Sequence, residues 1–377
     1  MKKIAIIGAS YLQEPLIQKA KTRGIETHVF AWAVGDIGEK SADYFYPISI
    51  TEKDAILKKC QEIGIDGICS IASDLAVCTV CYVAEKMGLT GNSVLSATMS
   101  TNKHNMRIQF EKNGDPSPHS IQVNGYDDAA GLDLTYPVIV KPIDRSGSRG
   151  ITKVNSKAEL EQAINRAIGL GFEKKALVEE FAAGYEYSVE YVSWKGQHTF
   201  LAMTQKYTTG APNFIETGHL EPAPVSDEIL ASAKAVVEHA LNSLGIEYGA
   251  SHSEIKIDEL GNIKIIEIGA RMGGDCIGSS LVELSTGYDF VSAVIDIALG
   301  IEPKYVRENA GYSSIRFIFS QEDINCYEQL KAEHPECIVE ADIHEITADS
   351  VTDSGSRFGY FLMKGPRDII EKYMPDR

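Results

Sequence analysis

Two glutamates in otherwise apolar strands are the first hint of chemistry. In HSEIKIDELGNIKIIEIGAR, residues 252–271, Glu254 and Glu267 lie on two predicted strands joined by the turn Glu-Leu-Gly-Asn. Counting outward from that turn, both side chains fall on one face at similar height. Glu267 is flanked by Ile266 and Ile268, and an unpaired carboxylate in such a setting is costly. A hard cation between the two carboxylates removes the cost, and oxygen ligands suit Mg2+. Neutralisation by Arg271 with Lys256 or Lys264, as plain salt bridges, is the alternative. Lys141 ends the apolar run YPVIVKP, and DRSGSRG, residues 144–150, follows it. Glycines among small hydroxyl residues let backbone N–H groups approach anionic oxygens, and Arg149 adds charge; a plain flexible loop is the competing reading. Glu179 and Glu180 end a third run, ALVEEF, with Glu186 shortly after. Such carboxylates can accept from an adenine amino group or ribose hydroxyls, or stand as solvated edge charge.

Elements of definite type must hold these residues in place. From the start, IAIIG, THVFAW and GICSIA read as strands alternating with helical stretches, 11–23 and TEKDAILKKCQEIG. That alternation predicts βαβ units and a parallel sheet, with ligands gathering at the carboxyl ends of its strands. Only Gly8 stands in the first turn, so the glycine pattern of a dinucleotide site is missing. Farther on, STNKHNMRIQFEKNG and KAELEQAINRAIGLG read as helices. EYSVEYVSW alternates as a half-buried antiparallel strand. KYTTGAPNFIETGHLEPAPV reads as a loop, a long helix covers 226–244, and the tail after Gly300 reads as a small α+β cap. Three units are expected: 1–98, 99–184 and 185–377.

Composition removes several functions. The chain of 377 residues carries 53 acidic and 36 basic side chains, a formal charge of −17. Such a chain repels nucleic acid and anionic membranes. No run of about 18 apolar residues suggests a membrane span, and the four-residue run Ile4–Ile7 is too short for a secretory signal, so a cytoplasmic location is expected. Seven scattered cysteines do not make a disulfide framework. Cys78 and Cys81 form a lone CxxC on a helix and read as buried, inert thiols.

Taken in order, Lys103, Lys141–Pro142, Ser-Gly-Ser-Arg-Gly, Glu-Glu-Phe, Gly-Tyr-Glu, Glu254 and Glu-Ile-Gly-Ala-Arg-Met-Gly-Gly resemble the ATP-grasp superfamily over essentially the whole chain. FIETGHLEPAP followed by GASHSEIKID resembles the branch that ligates amino acids, with more distant similarity to purine-pathway ligases and biotin carboxylase. The resemblance implies an α/β and α+β chain: an ATP-grasp fold preceded by a Rossmann-like parallel-sheet domain. It implies a carboxylate–amine ligase that forms an amide through an acyl phosphate, with ATP and Mg2+ (or Mn2+), small carboxylate and amine substrates, and compatibility with a homodimer. Residue by residue, Lys103 and Lys141 would hold phosphates and Ser146, Gly147, Ser148, Arg149 and Gly150 would close over them. Glu179 with the backbone of Glu180 and Ala182 would read adenine, and Glu186 would bind ribose. Glu254 and Glu267 would carry the metal, and Arg271, with Lys141, would stabilise the transferring phosphoryl group. His219, His252, Gly273 and Gly274 fall in substrate-facing stretches, where a structural hydrogen-bonding role is equally open to either histidine.

One position departs from the pattern. The superfamily reads Glu-x-Asn-x-Arg where this chain has Gly269. A second metal ion would then need a water, another ligand such as Asp275, or weaker binding, and Gly269→Asn would be expected to tighten metal dependence. The alternatives to an amino-acid ligase are a purine-pathway type of ligase and an ATP-binding sensor without turnover.

Overall fold

A computed structural model describes the chain apart from Ser146 and residues 307–310, 348–350 and 376–377. Its described strands form three sheets. The first holds β1 (Lys3–Ile7), β2 (Glu26–Phe30), β3 (Tyr44–Tyr46) and β4 (Gly67–Cys69) in the order β3-β2-β1-β4, all parallel. β1 reads as an apolar run because four of its five residues, Ile4 to Ile7, are fully buried, as a strand covered on both faces must be. The second sheet, β5 (Ser120–Val123), β6 (Val138–Pro142), β7 (Thr152–Val154) and β8 (Ala176–Glu180), is antiparallel in the order β5-β8-β6-β7. The amphipathic helix Lys157–Leu170 covers it with Leu160, Ala163, Ile164 and Ala167.

The third sheet is the largest, antiparallel in the order β13-β12-β9-β10-β11-β14-β16-β15. Its strands are β9 (Tyr185–Trp194), β10 (Gln197–Thr208), β11 (Glu216–Glu221), β12 (Gly249–Ile257), β13 (Ile263–Gly269), β14 (Tyr312–Phe317), β15 (Ile338–Ile343) and β16 (Gly359–Gly365). The strands of the tail thus continue this sheet rather than forming a separate cap. The stretch 206–225, expected as a loop, is mostly strand: β10 runs to Thr208 and β11 begins at Glu216. β9 is not half-buried either. Tyr187, Val189 and Tyr191 pack under the helix Asp227–Ser243, while Ser188, Glu190 and Val192 on the other face are also buried.

The first and third sheets share a core. The helix Phe290–Ala298 packs against β4 of the first sheet and β12 of the third, with Val291, Val294, Ile295 and Ile297 in one buried cluster. Gly67 makes that approach feasible, because a Cβ there would stand 2.4 Å from the Ala298 carbonyl oxygen. The cysteines are all free; Cys81 is buried on the helix Asp74–Met87, but Cys78 is exposed on it, so the inert pair expected from CxxC is half right. Among the described residues, no helix is long and apolar enough to cross a membrane.

Candidate active site

The hairpin β12–β13 sets the centre of the site. Asp258 accepts backbone N–H bonds from Leu260 and Asn262, both at 2.9 Å, and Gly261 adopts φ +82° in the turn between the strands. The register that follows places Glu254 directly opposite Glu267. Both carboxylates enter a cavity, open at its mouth, between the second and third sheets. The same cavity is lined by Lys103, Lys141, Gly147, Ser148, Arg149, Glu179, Glu180, Ala182, Glu186, His252 and Arg271. Ser146 lies outside the described residues. Gly150 stands behind the loop at φ +80° against Pro142 and Leu170.

Each buried charge in the cavity has a partner. Lys103 Nζ lies 2.7 Å from Glu267 and donates to the Arg145 carbonyl at 2.8 Å. Burial opposes its charge, yet Glu267 and Asp74 outweigh burial and raise its pKa. Lys206, in the stretch expected as a loop, lies 2.6 Å from Glu254, 3.1 Å from Glu186 and 3.6 Å from Glu216. Against the cost of burial those three carboxylates hold its pKa well above the usual lysine value. Glu254 in turn is held well below the usual carboxylate range: burial opposes this, and Lys206 and His252 prevail. The salt-bridge alternative is therefore met in kind but by other partners. Lys264 pairs with Glu180, and Lys256 sits 3.9 Å from Glu186.

At the inner wall, Glu179 gives one oxygen to Arg107 Nε at 2.9 Å and the other to Lys141 Nζ at 2.6 Å. Burial pushes the Lys141 pKa down, and Arg107 and Lys103 add to it against the pull of Glu179. Both Glu179 oxygens are taken up in holding cations; next to it the Glu180 N–H donates to the His119 carbonyl at 2.9 Å, and Glu180 and Ala182 line that end of the cavity. Arg271 forms a two-bond pair with Asp74, at 2.8 and 2.9 Å. His252 lies 2.5 Å from Glu190 and 3.5 Å from Glu254; burial disfavours its charge, but Glu190 dominates and its pKa rises to about 9. Ser148 Oγ donates to the Phe214 carbonyl at 3.0 Å, so the glycine-rich loop touches the β10–β11 turn.

Three expected substrate residues lie elsewhere. His219 is fully buried beside Phe317, with Nε2 3.8 Å from Asp275. Gly273 backs His252, whose Nδ1 would stand 2.7 Å from a Cβ there, and Gly274 faces Ala72. Asp275, the alternative ligand for a second metal, is bound to Arg357 at 2.7 and 2.9 Å and does not line the cavity. Its oxygens are already paired with a guanidinium behind the site. Arg107, Asp74, Glu190 and Lys206 were not singled out by sequence spacing as working parts. Their partners lie 72, 197, 62 and 48 residues away.

The donor set is compatible with a Mg2+ ion shared with phosphates. Among the described residues, no three His, Cys, Asp or Glu side chains converge to hold an ion by themselves. Mg2+ commonly takes only one or two carboxylates and completes its shell with phosphate oxygens and water. Glu254 and Glu267 supply that number.

Residues 134–279 match the ATP-grasp domain. A solved L-amino acid ligase from Bacillus licheniformis superimposes with a TM-score of 0.84 at 21% identity, covering 99% of this chain and 96% of that one. The chain has the ATP-grasp fold. N5-carboxyaminoimidazole synthetase from Staphylococcus aureus, solved with ADP, shares the fold at a TM-score of 0.78 and 19% identity, over 98% of this chain and 95% of that one. By sequence, alanine–anticapsin ligase of Bacillus subtilis (strain 168) is 27% identical over 246 residues, 59% of this chain and 51% of that protein. The chain thus spans about half the length of the first curated relatives it matches. The expected architecture, an ATP-grasp fold with a parallel-sheet domain in front, agrees with the parallel first sheet and these likenesses.

Proposed function

We propose that the protein is an ATP-dependent carboxylate–amine ligase that joins amino-acid-type substrates and releases ADP and phosphate. The observation that carries this reading is a single cavity bounded by Lys103, Lys141 and Arg271 and by two glutamates in direct register, with the backbone of 180–182 at its far end. Adenine would lie against that backbone and Glu186 would take the ribose. Lys103 and Lys141 would bind the phosphates, and the loop at 144–150 would close over them. Glu254 and Glu267 would hold Mg2+ or Mn2+, which supplies charge neutralisation on the phosphates.

In the first step a substrate carboxylate oxygen attacks the γ-phosphorus and the bond to ADP breaks. Repulsion between two anions is the main obstacle, and positioned cations are the usual remedy in phosphoryl transfer. Arg271 and Lys141 serve that purpose here. The amine nitrogen then attacks the carbonyl carbon of the acyl phosphate; the C–O bond to phosphate breaks, and the nitrogen gives up a proton. His252, charged through Glu190, suits the binding of a carboxylate rather than the removal of that proton. Holding both substrates together is worth up to about 7–11 kcal/mol in favourable systems, and the closed loop must exclude water because the intermediate hydrolyses. A purine-type acceptor carrying a ribose phosphate would need a free cation, and Lys206 already serves three carboxylates.

The test is release of ADP and phosphate from Mg2+–ATP across a panel of amino acids, singly and in pairs, with mass analysis of products. ADP release that requires one pair, with an amide of matching mass, supports the ligase. Tight nucleotide binding with no ADP release under any pair would sink it and leave the sensor.

A further inference from the structure

Gly269 is a glycine for want of space rather than for backbone freedom. Its φ lies outside the left-handed region, since it is not among the positive-φ glycines. A Cβ at 269 would stand 2.9 Å from Asp74 Oδ1 and 3.2 Å from Nε and Cζ of Arg271. A carboxylate tip can usually move aside, but this one is tied by both oxygens to the Arg271 guanidinium at 2.8 and 2.9 Å. Bidentate carboxylate–guanidinium pairs are the geometrically specific kind. Burial works against ionising Asp74, and Arg271 nonetheless keeps its pKa low.

Asp74 reaches this place from the first domain. It is the first residue of the helix Asp74–Met87, directly after Ser73 at its N-cap. The segment before it is keyed to the end of the hairpin: the Ala72 N–H donates to the Met272 carbonyl at 3.2 Å, with Ala72 held at φ +57°. Asp74 also borders a second cavity, which shares Lys103 and Glu267 with the first.

We propose that Asp74 is a positioning residue for Arg271 and fills the space of the side chain missing at 269, so that the first domain and the hairpin build the phosphate end of the cleft jointly. The role given to Arg271 rests on the ligase reading; the space-sharing does not. This changes the expectation for Gly269→Asn. The new side chain has no room in the parent protein, and it gains room only when the Asp74 carboxylate is removed.

A cycle of Asp74→Ala, Gly269→Asn and the double variant tests this by two readouts. In turnover, each single variant loses roughly 10–100-fold in kcat, the scale of a misplaced catalytic group, with KM for ATP little changed. The double variant loses no more than Asp74→Ala alone, and the introduced asparagine recovers part of that loss by accepting from Arg271. In melting temperature, measured without substrate, the two changes are likewise non-additive. A harmless Gly269→Asn in the parent, or losses that multiply in the double variant, overturns the proposal. Non-additive melting in a protein that ligates no substrate pair supports the shared space and overturns the ligase reading instead.

Discussion

Lys206→Met should destabilise the third-sheet region strongly, and Mg2+ with ADP should restore part of the loss. The Lys206 side chain is 3% exposed and faces three carboxylates within 3.6 Å. Methionine keeps most of the volume but leaves Glu254, Glu186 and Glu216 crowded together without their cation. Breaking a buried ion pair from one side typically costs about 3–5 kcal/mol. The glutamates keep 15–26% side-chain exposure, so water shares the burden and the lower end, about 3 kcal/mol, is the fitting estimate. For a folding unit of some 150–250 residues that is a fall of roughly 6–12 °C in melting temperature. The control is Lys256→Met, which removes the same charge from a side chain 20% exposed and 3.9 Å from Glu186; about 0–1 kcal/mol is expected there. Differential scanning calorimetry with and without Mg2+–ADP reads both. A divalent ion against Glu254 takes over the compensation, so the rise on adding Mg2+–ADP should be larger in Lys206→Met than in the parent. A melting temperature within about 2 °C of the Lys256→Met control, on the scale of under 1 kcal/mol, would refute the reasoning.

Lys141→Ala and Glu267→Ala should each abolish substrate-dependent ADP release. Lys141→Ala should also lower the melting temperature, because Glu179 loses one of its two buried cations; near-normal turnover in either variant would contradict the site. The His252–Glu190 pair predicts a pH trend in the unliganded protein. The folded pKa of about 9 lies above the ordinary 6.5, so the pair's stabilisation is complete below about pH 6.5 and is lost as pH rises through about 9. Glu190→Gln should flatten that limb in pH-dependent melting, and an unchanged slope would count against the pair. Ser148 touches the Phe214 carbonyl, so nucleotide should slow proteolytic cleavage in the loop at 144–150; equal cleavage rates with and without ATP would argue against closure.

The parts legible in the sequence are those fixed by local pattern. Ile4 to Ile7, the β12–β13 turn and the Glu254–Glu267 register follow from apolar runs, a turn signal and a period of two. The stretch 206–225 misled because Gly210, Pro212 and Pro222 signal loop, although only 209–215 separates β10 from β11. β9 misled because its polar face is buried too: Glu190 is covered because His252 meets it, a contact 62 residues away in the chain. The same holds for Asp74 with Arg271 and Arg107 with Glu179. A buried ion pair depends on which strands and helices become neighbours, and composition carries no trace of it.

The central claim is that this cavity couples ATP cleavage to amide formation through an acyl phosphate. The most direct measurement gives the protein a substrate carboxylate labelled in both oxygens with oxygen-18, together with its amine partner and Mg2+–ATP, and weighs the released phosphate. The account predicts one labelled oxygen in each phosphate and one in each amide. Unlabelled phosphate alongside the amide would mean that the carboxylate never attacked the γ-phosphate, and would contradict it.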